Sequence, residues 1–556
     1  VKRIAWGAGF LLVAQLSSAY DRSHGRSMVI SQLGIVSTSH ALASQAAVRV
    51  LERGGSAVDA AIAANAVLGV VEPMMNGIGG DLFALYREAA SGQLTGLNAS
   101  GWAPAGLSID WLKQKGESAM PSTGIHTVTV PGCVDGWAKL HRRFGKLPWA
   151  DLFQPAIHLA EAGFPLTERV AHYWKAAEAS LRAHEYTARV FLPKGRAPQV
   201  GELFRNPHLA RALRSLAANG PEAFYKGDIA AAILETSRRH QGAMEARDLA
   251  EFSAEWVQPL STTYRGWRVY ELPPNSQGMA ALEMLNLMEQ FPLPQMAQGS
   301  AEVLHIQIEA QKLAYQDLAR YLADPRHQPV PAAGIANKQY ARQRAREIDP
   351  KSANCSATAG EPPSGDTTYL AVVDRRGNII SLIQSIYQVF GSHVAVEGFG
   401  FHLHNRGALF SFNPAHPNAL AGRKRPYHTL IPAYMEKDHL HIGFGIMGGA
   451  NQAQAHAQFV SNVVDFGMNI QQAMDAPRFT RLHTPGCEVS IEARIPPRVR
   501  EELESLGHRL TVLGDYAGAM GAGEAVVHDS KNKVNYGASS PRGDGLAAAE
   551  MPPFWK

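Results

Sequence analysis

The sequence predicts a globular chain of mixed α/β or α+β class, and three observations point to it. The composition is 46% hydrophobic and 18% charged, with 51 Gly and 33 Pro, which excludes a disordered tail, a coiled coil and a collagen-like chain. From Gly136 to about Ser253, Ala and Leu recur at helical spacing between polar breaks. After residue 366 the hydrophobic period changes to two, the mark of strands. At roughly 100–200 residues per domain the length would suggest three or four domains, although one large core can exceed that prior.

The elements follow in order. Lys2-Arg3 precedes an apolar run from Ile4 to Ala14, and small residues stand at Ser17, Ser18 and Ala19. This is the three-part pattern of a secretory signal over residues 1–19, cut after Ala19. Such a signal predicts a periplasmic or secreted protein. The other reading, an upstream extension with no targeting role, predicts a cytoplasmic one. The run is too short to span a bilayer.

Residues 29–36 read as a strand, and a helix starts at Ser39 and runs through Leu51 to the break at Gly54-Gly55. Ser56 caps a second helix, Ala57 to Val70, apolar on all faces and so expected between layers. Gly77-Ile78-Gly79-Gly80 reads as a tight turn before a strand from Leu82 to Tyr86. Further on, Trp267–Leu272 reads as a strand stopped by Pro273-Pro274. Gly278–Gln290 and Ala301–Leu322 read as helices.

Residues 351–366 are rich in Ser, Ala, Gly and Pro, a protease-accessible type of segment. Thr368–Val373 then alternates, Asp374 to Asn378 is a turn cluster, and Ile379–Ile386 alternates again, which predicts a hairpin. A turn centred near Arg376 makes paired residue numbers sum to about 752, which sets Ser385 opposite Thr367. A one-residue slip would turn Ser385 to the other face. Strands dominate from there on, with one clear helix around Ala450–Val464. No internal repeat is present.

Several chemistries can be excluded. Lys plus Arg minus Asp plus Glu is 53 − 49 = +4 without basic blocks, so no nucleic-acid partner is expected. Cys133, Cys355 and Cys487 stand far apart, which argues against a disulfide framework and a thiolate zinc site. Gly443-Phe-Gly445-Ile-Met-Gly448 matches a dinucleotide loop only as a string, because no βαβ unit surrounds it. His402, His404, His439 and His441 would pair on strand faces. Without a further ligand cluster they read as surface histidines rather than a metal site. No G-x-S-x-G elbow occurs.

One constellation remains. Gly365-Asp366-Thr367-Thr368 closes the small-residue loop just before a strand. Cleavage between Asp366 and Thr367 would make Thr367 an N-terminal nucleophile, its own α-amine serving as base. From the residues alone a turn is the commoner reading.

The chain resembles the γ-glutamyltransferase family (γ-glutamyl transpeptidase, glutathione hydrolase) of the N-terminal-nucleophile hydrolase superfamily from about residue 29 to 548. The resemblance rests on Gly54-Gly-Ser-Ala-Val-Asp-Ala-Ala, Gly77-Ile-Gly-Gly-Asp, Val130-Pro-Gly-Cys-Val-Asp-Gly-Trp, Thr367-Thr-Tyr-Leu-Ala-Val-Val-Asp, Arg425-Pro-Tyr-His-Thr, Met447-Gly-Gly and Ser540-Pro-Arg, in that order. It implies an α+β fold, a four-layer αββα sandwich. It also implies a precursor that cuts itself into a large subunit, residues 20–366, and a small one, 367–556, forming one intertwined heterodimer. Thr367 then matches the nucleophile, Ser385 a hydroxyl close to it, and Gly448 and Gly449 the backbone donors for the oxyanion.

The family's substrate clamp is missing. Its arginine falls in Ser100-Gly101-Trp102-Ala103-Pro104, and its acidic residue in Asn405-Arg406-Gly407-Ala408-Leu409. Its serine pair is here His428-Thr429. Trp102, Tyr387, Asn405, Arg406, His428 and Thr429 are the candidate substrate-binding residues, with Arg406 the cation able to take a carboxylate. The resemblance implies cleavage of a small amide substrate, γ-glutamyl or related, with the acyl group passed to water or an amine and no metal or organic cofactor. A glutaryl or cephalosporin-type acylase on the same machinery is one alternative. A silent scaffold that never cleaves is the other.

Overall fold

The computed structural model describes residues 24–356, 367–481 and 486–553. Residues 1–19, most of the 351–366 loop and Asp366 itself lie outside the described residues.

Two seven-stranded sheets form the centre. The first runs Leu546–Ala549, Ile35–Thr38, Thr368–Val373, Ile379–Ser385, Asp81–Arg87, Leu94–Ala99, Glu255–Val257. The second runs Val29–Ser31, Val534–Ser539, Gly523–Asp529, Leu440–Ile446, Ala433–Lys437, Trp267–Glu271, Leu260–Tyr264. Both of these central sheets mix strands from before and after residue 367.

Side-chain alternation assigns the layers. In Thr368–Val373 the even residues Leu370 and Val372 pack into a core with the helices Ala41–Glu52 and Ala57–Val71. The odd residues Tyr369, Ala371 and Val373 meet Tyr434 and Val526 of the second sheet. That sheet's outer face packs on the helices Gly278–Met288, Ala301–Tyr321 and Asn451–Val464. The order helix, sheet, sheet, helix is the four-layer αββα sandwich expected.

The hairpin has the expected register: Thr368 faces Gln384 and Val373 faces Ile379, each pair summing to 752. Its turn is held by Asp374, whose Oδ1 accepts from the N–H groups of Arg376 and Asn378. Ser56 caps the buried helix through a capping box with Asp59.

Other expectations change. Residues 29–36 are two strands in different sheets, Val29–Ser31 and Ile35–Thr38. His40, not Ser39, caps the helix that follows, and Ser39 donates to Glu72 instead. Gly443 and Gly445 lie inside a strand, not in a loop. A Cβ on Gly445 would come within 2.4 Å of the Tyr369 ring, so glycine lets the sheets approach. Beyond Val464 the helices Ile470–Asp475 and Pro497–Ser505 interrupt the strands. The capping box of Asn469 with Gln472 and the Pro496-Pro497 start were their local signals.

The cysteine expectation also needs correction, because Cys355 and Cys487 form a disulfide with Cα atoms 4.9 Å apart. A single bridge over 132 residues leaves no spacing pattern in the sequence. Cys133 is free and buried. No helix among the described residues is long and apolar enough to cross a membrane.

Candidate active site

Thr367 stands at the start of a central strand and is 1% exposed. Odd positions of this strand face the second sheet, so the Thr367 side chain points between the sheets. Thr368 points the other way. Its hydroxyl donates to Glu72 Oε2 at 3.0 Å and accepts from Asn76 Nδ2 at 3.0 Å. Thr367 Oγ1 instead receives Gln452 Nε2 in a long 3.4 Å contact. Ser385 ends the neighbouring strand on the same inter-sheet face, and the register carried one step further sets it opposite Thr367. Its Oγ accepts from Tyr387 N at 2.7 Å.

Gln452 belongs to the first turn of the helix Asn451–Val464, and Gly448 and Gly449 form the turn entering it. Both glycines have positive φ, 123° and 58°, which other residues rarely adopt. Their carbonyls cap the helix start, accepting from Asn451 N and Gln452 N. Among the described residues their own N–H groups have no hydrogen-bond partner. Two such donors at the positive end of a helix can hold an oxyanion. Gln277 ties this turn to the side that holds His428 and Thr429, donating to both Gly449 O and Thr429 O.

Asp81 organises that side. It accepts from Gly101 N at 3.0 Å, Gly132 N at 3.4 Å and His428 Nε2 at 3.0 Å. Burial alone would raise the Asp81 carboxyl, but His404, His428 and Arg406 around it pull it down to about 2. Burial, helped by Arg406, pushes His428 down to about 3. His428 is therefore neutral, with Nδ1 accepting from Leu430 N and the Nε2 proton given to Asp81. Arg406 is fully buried, its guanidinium 4.4 Å from the Tyr387 ring centroid and its Nη1 donating to Thr429 Oγ1 at 2.9 Å. Tyr387 holds φ 78°, a left-handed backbone that a bulky residue adopts only when its surroundings impose it.

The structure thus brings Thr367, Ser385, Gly448 and Gly449 to one end of the inter-sheet layer, with Tyr387, Arg406, His428 and Thr429 beside them. Asn405 spends its amide on Ser122 O and Gln388. The Trp102 ring turns to Phe252, Asp248 O, Arg326 and Arg423. Sequence reasoning gave no role to Asp81, Gln277 or Gln452. Only Asp81 stood in a quoted motif.

The four strand histidines do not converge. His402, His404 and His441 are not on a polar surface but buried, His402 against Phe191 and Phe390. His404 lies by Asp81 and His441 by Tyr434 and Glu436, while His439 sits in a hairpin turn. A different group, His305, Glu309 and His508, has ligand atoms within 4.8 Å of one another. His305 bonds His508 and Asp349 O, and Glu309 pairs with Lys312 at 2.6 Å, which leaves His508 Nδ1 without a partner among the described residues.

The chain is similar to known proteins over most of its length. The Gamma-glutamyltranspeptidase family model matches residues 43–550. A glutathione hydrolase-like YwrD proenzyme of Bacillus subtilis (strain 168) is 38% identical over 524 residues, covering 93% of this chain and 99% of that protein. An oxamate amidohydrolase proenzyme of Klebsiella pneumoniae is 34% identical over 529 residues, with the same two coverages. A cephalosporin acylase crystal structure from Bacillus halodurans superposes with TM-score 0.89 at 41% identity, covering 96% of this chain and 99% of that one.

Proposed function

The chain belongs to the γ-glutamyltranspeptidase family, and on that premise we propose that it is an autoprocessing amidohydrolase or acyltransferase with Thr367 as nucleophile. The Thr367 hydroxyl attacks the Asp366 carbonyl, the C–N bond breaks to free the Thr367 α-amine, and water hydrolyses the resulting ester, leaving a carboxylate on Asp366. Residues 20–366 become the large subunit and 367–556 the small one, still joined by the Cys355–Cys487 bridge. In turnover the hydroxyl attacks the substrate carbonyl while the freed α-amine takes its proton. The N–H groups of Gly448 and Gly449 hold the tetrahedral oxygen. The amine half leaves with that proton, and water or an acceptor amine resolves the acyl-enzyme. The observation that carries this reading is the Thr367 hydroxyl facing between the sheets, in contact with the helix whose N-terminus carries two unspent N–H donors.

Ser385, opposite the nucleophile, steadies the Thr367 hydroxyl. Loss of one such hydrogen bond is worth about 1 kcal/mol, so Ser385→Ala should slow both self-cleavage and turnover roughly fivefold. Unchanged rates on a timed gel and in a chromogenic assay would remove Ser385 from the mechanism.

The relatives are named for glutathione, oxamate and cephalosporin substrates. What unites these names for this chain is an amide or acyl bond. A γ-glutamyl head carries an ammonium that must lose water on entry, and a buried charge without a partner costs several kcal/mol. Leu409 offers it nothing, and Asp81 is already engaged by Gly101 and His428. This favours the acylase reading over the γ-glutamyl one. Processed protein should therefore turn over glutaryl-p-nitroanilide faster than γ-glutamyl-p-nitroanilide. A large preference for the γ-glutamyl compound would overturn the acylase reading. The protein is also assigned to an oxidising compartment, periplasmic or extracellular, a reading that the Cys355–Cys487 disulfide supports.

A further inference from the structure

Arg406 has more hydrogen-bonding capacity than the protein uses. Its guanidinium is fully buried, and among the described residues Nη1 alone finds a hydrogen-bond acceptor, Thr429 Oγ1. Nε and Nη2 are buried and unpartnered. No carboxylate of the described residues lies within ion-pair distance of it. Asp81 acts on it only through space, its oxygens already taken by Gly101, Gly132 and His428. Burial lowers Arg406 to about 10, so it stays cationic at neutral pH.

A buried cation with unspent donors is strongly destabilising unless something supplies the missing acceptors. The two idle nitrogens are not scattered. Nε and Nη2 form one edge of the planar guanidinium, the edge that takes both oxygens of a carboxylate in parallel hydrogen bonds. The other edge and face are fixed by Thr429 and by the Tyr387 ring, which keep the guanidinium from turning away. Thr429 is in turn tied through Gln277 to Gly449, in the turn assigned to the oxyanion.

We propose that the Nε/Nη2 edge of Arg406 receives a carboxylate on the acyl half of the substrate, so that the site takes monoamides of dicarboxylic acids. This rests on the Thr367 reading above. The cation comes from the 405–409 segment rather than from the Ser100 position, where the family pattern has its arginine.

The test compares glutaryl-p-nitroanilide with pentanoyl-p-nitroanilide, the same chain without the terminal carboxylate. Wild-type protein should prefer the glutaryl compound by roughly 100-fold in kcat/KM, the size expected for a desolvated charge pair. Arg406→Ala should collapse that ratio to below about tenfold, with Arg406→Lys retaining part of it because the charge remains while the fork is lost. Calorimetric binding of glutarate to processed protein should weaken in the same order. Equal losses on both anilides, or an unchanged ratio, overturn the assignment. If Arg406→Ala fails to fold, Arg406→Lys and Arg406→Gln are read by the same ratio and the same glutarate titration. Wild-type protein that self-cleaves and hydrolyses both anilides without discrimination contradicts the carboxylate proposal and leaves the Thr367 chemistry standing. Wild-type protein that neither self-cleaves nor accepts an acyl group contradicts both.

Discussion

Thr367→Ala should leave one full-length band on a reducing denaturing gel, where the wild type gives two of roughly 40 and 20 kDa by share of chain length. The methyl side chain that remains cannot attack the preceding carbonyl, and no neighbour replaces it. Thr368 is the nearest hydroxyl in sequence, but it faces the helical layer, held by Glu72 and Asn76. Thr368→Ala should accordingly still cleave. The alanine variant at 367 should also lose turnover by roughly a thousandfold or more, the scale seen when a covalent nucleophile is removed. Cleavage that persists at the 366–367 bond in Thr367→Ala would show that another group cuts the chain.

On a non-reducing gel the processed wild type should run as a single species near the precursor mass, and it should separate into two bands when a thiol reductant is added. Cys355 lies twelve residues before Thr367 and Cys487 lies after it, so the bridge joins the two proposed subunits. Cleavage of the peptide therefore does not free the large subunit. Its end is fixed to the sheet of Phe479–Thr480, Glu488–Glu492 and Arg509–Leu513, which Cys487 adjoins. Cys355→Ser should give two bands without reductant and lower stability by about 2–4 kcal/mol, the usual worth of a native bridge. Two bands from the wild type without reductant would show that the bridge is not formed in the mature protein.

What the sequence made legible was local. Alternation and a turn cluster gave the hairpin's register and its first strand as found and its second strand one residue too long, because strand period and turn chemistry are both written in contiguous residues. The cap at Ser56 was readable for the same reason. The glycines of 443–448 were not, since two of them answer to Tyr369 and Ile379 of the opposite sheet rather than to their own neighbours. Gln452 shows the same limit in the site: nothing nearby signals that its amide reaches a residue 85 positions earlier. Asp81 gathers donors from residues 101, 132 and 428, a convergence only the folded chain displays. The four-layer sandwich and the Thr367 assignment came from the family resemblance, whose ordered motifs carry information that composition and periodicity lack. The absent arginine was visible at Ser100. The idle edge of Arg406 was not, because a side chain's unspent donors are a property of its packing.

In the proposed mechanism Thr367 becomes the first residue of a chain the protein makes by cutting itself, and this residue carries the acyl group. Intact mass spectrometry of the reduced, purified protein, before and during turnover of glutaryl-p-nitroanilide, tests it most directly. The expected result is a small chain whose mass begins at Thr367 and which gains one glutaryl group while substrate lasts. A single uncut chain, a small chain beginning elsewhere, or an acyl group carried by another residue would contradict it.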